Sequence, residues 1–299
     1  MDALHDPFFF TITCTLLGLI VGSFLNVVIL RLPKMMEQSW RRECSEFLAQ
    51  PVSTETPISL SHPNSQCPAC GANIRAWQNI PVISWLLLRG RCAQCDTPIS
   101  ARYPFVELLT GTLTGLAAWQ FGFGPEALSA FILIWILIAL TGIDIDTQLL
   151  PDGMTLALLW IGLAVNLFDT WTSLPSAVIG AMLGYGSLWS VYWAFKLVTG
   201  KEGMGYGDFK LLGALGAWFG WQTVPVIILM SSFAGALLGI SILLLRRLER
   251  DTPMPFGPYL AGAGLVILFF GETLMTEYCL LYTSPSPRDV EESRMPSSA

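Results

Sequence analysis

Apolar stretches recur along this chain at close to the length that crosses a bilayer, and they leave little room for a water-soluble fold. They run approximately from Phe8 to Leu30, Pro104 to Phe121, Glu126 to Ile143, Met154 to Phe168, Pro175 to Phe195, Phe209 to Phe219, Thr223 to Leu245 and Phe256 to Thr273. A transmembrane helix needs about 20 such residues, and in lipid only helices and closed barrels satisfy every backbone polar group internally. Composition agrees: 13% of the 299 residues are charged, against about 25% in a soluble domain, and mean hydropathy is +0.56. The chain therefore reads as an all-α polytopic membrane protein. Met1 to Pro7 carry Asp2 and no lysine or arginine, whereas a cleavable signal begins with a basic region, so the first run reads as a retained helix.

The run from Phe209 to Phe219 is too short for an ordinary span, and pattern alone does not say whether it is a helix of its own. Charge decides. If it crosses separately, one set of loops comprises Arg31 to Tyr103, Asp144 to Gly153, Lys196 to Asp208 and Arg246 to Pro255, and these loops collect the basic residues. The opposite loops, near Gly122 to Pro125, Asp169 to Leu174 and Gly220 to Gln222, hold no lysine or arginine. The positive-inside rule then predicts about eight transmembrane helices, with the basic loops cytoplasmic and both termini outside. The expected organisation is a first transmembrane helix at 1–30 and a cytoplasmic loop domain at 31–103. A membrane-embedded domain at 104–276 and a tail at 277–299 complete it.

Within this frame Gly205-Tyr206-Gly207-Asp208 stands where a helix enters the membrane, and Ile143-Asp144-Ile145-Asp146 stands where another leaves it. The topology puts both at one face, the cytoplasmic one. An ionisable residue inside a membrane is a functional candidate by default. Two neighbouring carboxylates resist ionising together and share a proton. One then serves as general base on a water while the other hydrogen-bonds a scissile carbonyl, with no covalent intermediate. Gly205 and Gly207, lacking side chains, would permit unusual backbone angles and close approach of a substrate strand. The alternative is that Asp208 is merely a helix N-cap. Asp146 and Asp152 are rival acids for the place of Asp144, otherwise interfacial or capping groups of the helix near Met154.

Seven cysteines are present. Cys67-Pro68-Ala69-Cys70 and Cys92-Ala93-Gln94-Cys95 form paired C-x-x-C motifs with spacing close to that of a four-cysteine zinc site, which would be tetrahedral and structural. On the cytoplasmic side disulfides seldom persist, so zinc is favoured over a redox dithiol. Gly71 suits the turn of a zinc knuckle. Cys14, Cys44 and Cys279 are isolated, and His62 is not needed once four thiolates close the site. The apolar segment Ile80 to Leu88 is too short to span and is expected to pack on the membrane surface or against the knuckles. Met35 to Pro63 reads as irregular or partly helical. With only His5 and His62 in the chain and no His-Glu-x-x-His, a zinc metalloprotease of that type is excluded. No basic block suggests nucleic acid.

Gly205-Tyr206-Gly207-Asp208 with Ile143-Asp144-Ile145-Asp146 and Leu150-Pro151-Asp152 resembles the type IV prepilin peptidases, members of the GxGD group of intramembrane aspartyl proteases. Further matching stretches are Gly22-Ser23-Phe24-Leu25-Asn26-Val27 with Arg31 and Pro33, Arg102-Tyr103-Pro104 with Glu107, and Pro255-Phe256-Gly257-Pro258-Tyr259. The resemblance runs from about Phe8 to about Thr273. It implies Asp144 and Asp208 as the catalytic pair and removal of short basic leaders from type IV prepilins and type II secretion pseudopilins. It further implies a bacterial inner-membrane location and, in many members, methylation of the new N-terminus with S-adenosylmethionine. No G-x-G-x-x-G of Rossmann type independently points to that cofactor. Glu107 and Asn26 read as structural, Asn26 through interhelical hydrogen bonds.

Two competing functions remain distinct in kind. A proton-coupled transporter would place its acids near mid-bilayer. A zinc-knuckle assembly protein would use its aspartates only as caps. The Ser/Pro-rich end from Tyr282 to Ala299 departs from the family pattern and is expected to be disordered.

Overall fold

The computed structural model describes residues 6–50, 58–62, 64–67, 69–244 and 254–283. Each apolar run read from the sequence is a helix: α1 Pro7–Phe47, α3 Arg102–Phe121, α4 Pro125–Thr147, α5 Asp152–Val165, α6 Leu174–Thr199, α7 Tyr206–Phe219, α8 Val224–Leu244 and α9 Gly257–Thr283. A short α2, Ile83–Leu87, lies in the loop between α1 and α3. Five of these helices, α1, α4, α6, α8 and α9, are long and apolar enough to cross a membrane. The 14-residue α5 and α7 are each about 21 Å long, short of a bilayer core of about 30 Å.

Two boundaries differ from the sequence reading. Helix α1 does not stop near Leu30 but continues for 41 residues, about 60 Å. Loss of apolarity ends a span, not a helix. Past the internal Pro33, the Glu37–Arg41 ion pair (2.6 Å) and a Ser39–Glu43 hydrogen bond (3.0 Å) tie residues one turn apart. At the other end α9 reaches Thr283, so the expected tail at 277–299 begins as helix. Its remainder at 284–299 lies outside the described residues, as do Arg246, Arg247 and Arg250.

Helix α7 is the centre of the bundle. From Asp208 onward nearly every residue is buried, as expected of a helix that is apolar all round. It packs on α5, α6 and α9. Against α6 it packs backbone to backbone: a Cβ at Gly180 would fall on the Gly216 carbonyl, and one at Gly184 would lie 2.5 Å from the Leu212 carbonyl oxygen. That is the small-xxx-small contact of membrane helices. Its far end is pinned by Asn166, whose Nδ2 donates to the carbonyls of Ala217 (2.8 Å) and Trp218 (2.9 Å). Trp218 in turn donates to the Leu158 carbonyl at 2.8 Å. Helices α1 and α3 form a second close pair through Gly18 and Gly22, where a Cβ would meet Thr114 and Glu107. The expected interhelical bond of Asn26 goes to the Tyr103 carbonyl at 3.1 Å. This packing fixes the near end of α7 beside the end of α4.

Candidate active site and metal centre

Asp144 lies in the last turn of α4, which closes at Gln148 in the left-handed conformation. The residue is 4% exposed, and its Oδ2 accepts the amide N–H of Gly257 at 3.0 Å. Gly257 is the first residue of α9, so the acid faces the positive end of that helix. Asp208 is 6% exposed in the first turn of α7. The two carboxylates are close enough to interact electrostatically, and the Gly205 amide leans toward that of Asp208.

Two details correct the sequence reading. The residue at the N-cap of α7 is Gly205, not Asp208. Asp208 is the third helical residue, the place from which an acid reaches back to the cap amide. Gly205 and Gly207 also need no unusual backbone: Gly205 has φ −79°, and neither has positive φ. Gly207 is required by packing, since a Cβ there would lie 2.6 Å from Cβ of Leu150. A Cβ on Gly205 would find Asp208 Oδ2 at an ordinary 3.7 Å, so the backbone beside that carboxylate is open.

The rival acids are occupied otherwise. Asp146 pairs with Arg102 at 2.6 Å and Asp152 with Lys210 at 2.6 Å. Asp152 opens α5, so its salt bridge braces α5 against α7. Sequence reasoning missed the Gly257 amide and the two cations. The signal for Gly257 was its place before Pro258 at a helix start. Between α3, α4 and α9 lies a cavity of about 300 Å³, walled by Phe105, Leu109, Ile138 and Leu265. Gly142, Ile145 and Pro258, neighbours of Asp144 and Gly257, also line it.

The sulfurs of Cys67, Cys70, Cys92 and Cys95 lie within 4.8 Å of one another, and those of Cys67 and Cys95 are 3.7 Å apart. A tetrahedral zinc with Zn–S of about 2.3 Å sets neighbouring sulfurs about 3.8 Å apart, so the donor set and spacing fit. Each knuckle turns the same way: Gly71 (φ 69°) and Asp96 (φ 53°) are left-handed, and their amides donate to the carbonyls of Cys67 (2.9 Å) and Cys92 (3.1 Å). Antiparallel bridges Gln66–Asn73 and Arg91–Pro98 close them. The Thr97 hydroxyl, then its amide, pulls the Cys95 thiol down to about 6, while neighbouring Cys70 stands raised to about 11. His62 is outside this cluster. Cys14 is buried and Cys44 exposed, both in α1.

Within the same loop, Trp85 donates to the Ile99 carbonyl at 3.2 Å, while Ile83, Leu86 and Leu87 stay exposed. The buried Glu107 of α3 accepts the Val82 amide at 2.8 Å and so ties the loop to the bundle, in keeping with a structural role.

A family model of the bacterial peptidase A24 N-terminal domain matches residues 16–121, and a model of the type IV leader peptidase family matches residues 131–240. Proteins named prepilin leader peptidase/N-methyltransferase from Stutzerimonas stutzeri and Pseudomonas aeruginosa are each 54% identical over 91% of this chain, covering 95% and 94% of their own lengths. One from Aeromonas hydrophila is 54% identical over 88% of this chain and 91% of its own. No solved structure matches the chain. Asp144, Asp208 and the paired cysteine motifs all lie inside the residues that these two models match, and the chain belongs to the type IV leader peptidase family.

Proposed function

We propose that this protein is a membrane aspartyl endopeptidase that removes the short basic leader from type IV prepilins and type II secretion pseudopilins, with Asp144 and Asp208 as its catalytic pair. The observation that carries the assignment is that both buried carboxylates, from α4 and α7, flank Leu150. A Cβ at Gly257 would meet Asp144 Oδ2 and Leu150, and one at Gly207, next to Asp208, would meet Leu150, while Asp146 and Asp152 are held by cations. One carboxylate takes a proton from water as the water attacks the scissile carbonyl. The other, as the acid, hydrogen-bonds the carbonyl oxygen, and the proton passes on to the leaving amine. The open backbone at Gly205 gives an extended substrate room beside Asp208, and the apolar cavity beside Asp144 suits the hydrophobic segment that follows the leader.

The topology in this proposal has about eight membrane helices, the basic loops cytoplasmic and the site at the cytoplasmic face of a bacterial inner membrane. Residues 31–103 then form a cytoplasmic loop domain and 104–276 the membrane-embedded protease domain. The four thiolates of Cys67, Cys70, Cys92 and Cys95 hold a structural zinc, supported by their spacing. A bound zinc would cross-link the knuckles. The relatives' name includes an N-methyltransferase, which supports a second activity here; methylation of the new N-terminus with S-adenosylmethionine as donor rests on the family resemblance. The described residues contain no βαβ unit of Rossmann type, so no residue is assigned to that cofactor.

The test is leader removal from a prepilin, followed by gel shift, in Asp144→Asn and Asp208→Asn. Each substitution keeps the shape and removes the ionisable group, and each is expected to abolish cleavage. Undiminished cleavage in both would sink the assignment.

A further inference from the structure

Arg102 is among the residues lining the cavity between α3, α4 and α9, and the proteolytic reading gives its polar bonds no task. Its guanidinium donates through Nη1 to Asp146 Oδ1 at 2.6 Å and through Nη2 to the Gly142 carbonyl at 3.1 Å. Those partners lie two residues before and two after Asp144. At 100° per residue they sit together on one side of α4, about 200° around the helix from Asp144. Arg102 therefore grips the back of the turn whose front carries Asp144 against Gly257. The grip is itself anchored. The Arg102 amide donates to the Ser100 hydroxyl at 3.2 Å, the next carbonyl, of Tyr103, is held by Asn26 of α1, and the Ile99 amide donates to the Gly90 carbonyl at 2.7 Å.

We propose that Arg102 is a positioning residue for proteolysis, clamping the last turn of α4 at Gly142 and Asp146 so that Asp144 is held at Gly257 and facing Asp208. This rests on the reading of Asp144 as catalytic. The geometry needs the planar fork of arginine, because a lysine ammonium is a point charge on a flexible stem and does not reproduce two directed bonds. The clamp acts next to the end of a helix, where the turn frays most easily. A misplacement of about 1 Å can cost a hundredfold in rate, so the effect belongs in kcat.

The experiment compares Arg102→Gln, Arg102→Lys, Asp146→Asn and the Arg102→Gln/Asp146→Asn double variant, with Asp144→Asn as control. Leader cleavage is followed at several substrate concentrations, with thermal melting in detergent alongside. Arg102→Gln is expected to lower kcat about 10- to 100-fold with KM within about twofold. Arg102→Lys should recover less than half of that loss. Asp146→Asn should cost less than Arg102→Gln, because the Gly142 contact remains, and the double variant no more than Arg102→Gln alone, as for residues in one network. A wild-type kcat in Arg102→Gln, a change confined to KM, or additive losses in the double variant would overturn the clamp. If Arg102→Gln does not fold, Asp146→Asn decides, and an unchanged kcat there overturns it. Full activity in Asp144→Asn would instead overturn the catalytic reading itself, a result separate from any Arg102 outcome.

Discussion

Gly257 is required by its neighbour rather than by its own backbone. A Cβ at this position would lie 2.7 Å from Asp144 Oδ2 and 3.2 Å from Leu150 Cδ2, while its amide is the donor that Asp144 accepts. Replacing it with alanine must push the carboxylate or open the start of α9. Gly257→Ala is expected to lower cleavage at least about tenfold with the bundle still folded, measured as kcat on a prepilin beside a melting curve in detergent. A wild-type rate would show that Asp144 does not need this seat. The same residues mark what was legible in the sequence. That an acid of the Ile143-Asp144-Ile145-Asp146 run meets Asp208 could be read from charge and topology. Which acid does so rests on partners distant in sequence: Arg102 takes Asp146, Lys210 takes Asp152, and Gly257 takes Asp144. Periodicity and spacing carry no information about such contacts.

At the scale of elements, α7 brings Asp208 to its place, and it is held at both its sides and its far end. Asn166 is fully buried and satisfies two α7 carbonyls while accepting the amides of Trp171 (3.0 Å) and Thr172 (3.2 Å). Alanine here strands several buried polar groups, each costing about 1–3 kcal/mol. Asn166→Ala is expected to destabilise the protein by on the order of 3 kcal/mol, read as a lowered melting temperature in detergent. An unchanged melt would mean water replaces the side chain. Gly180→Val tests the flank of α7. Its side chain would collide with the Gly216 backbone, and overpacking of this kind costs about 1–3 kcal/mol or more. Helix existence was legible for each long apolar run, because runs of this length have few alternatives in a membrane, but not for the short α2. The extent of α1 was not, since its last turns hold through polar pairs one turn apart that look like loop in a hydropathy scan.

Across the whole molecule, few bonds among the described residues join the cysteine loop to the bundle, one of them from the Ile58 amide to Gln38 of α1 at 3.1 Å. Glu107 takes the Val82 amide, and Arg31 donates to the carbonyls of Ser59 (3.1 Å) and Leu60 (3.2 Å). Between these ties the knuckles rest on two single-residue bridges and two tight turns, with almost no apolar core: of the four cysteines only Cys67 is buried. A segment of this size that buries so little is expected to depend on metal for its order. The bundle has its own continuous core, drawn from α1 and from α3 through α9, and is expected to stand without metal. Removing the metal should therefore separate the two. In Cys67→Ser, or after chelation, bound zinc is expected to be lost and protease cuts to appear between residues 64 and 99, while the melting of the bundle shifts little. Metal analysis, limited proteolysis with mass mapping and a detergent melt on the same samples check this. A metal-free protein still resistant between 64 and 99 would mean that the ties through Glu107 and Arg31 order the loop unaided. A bundle that melts with the loop would mean that those same ties carry stability in the opposite direction, from the thiolates into the membrane.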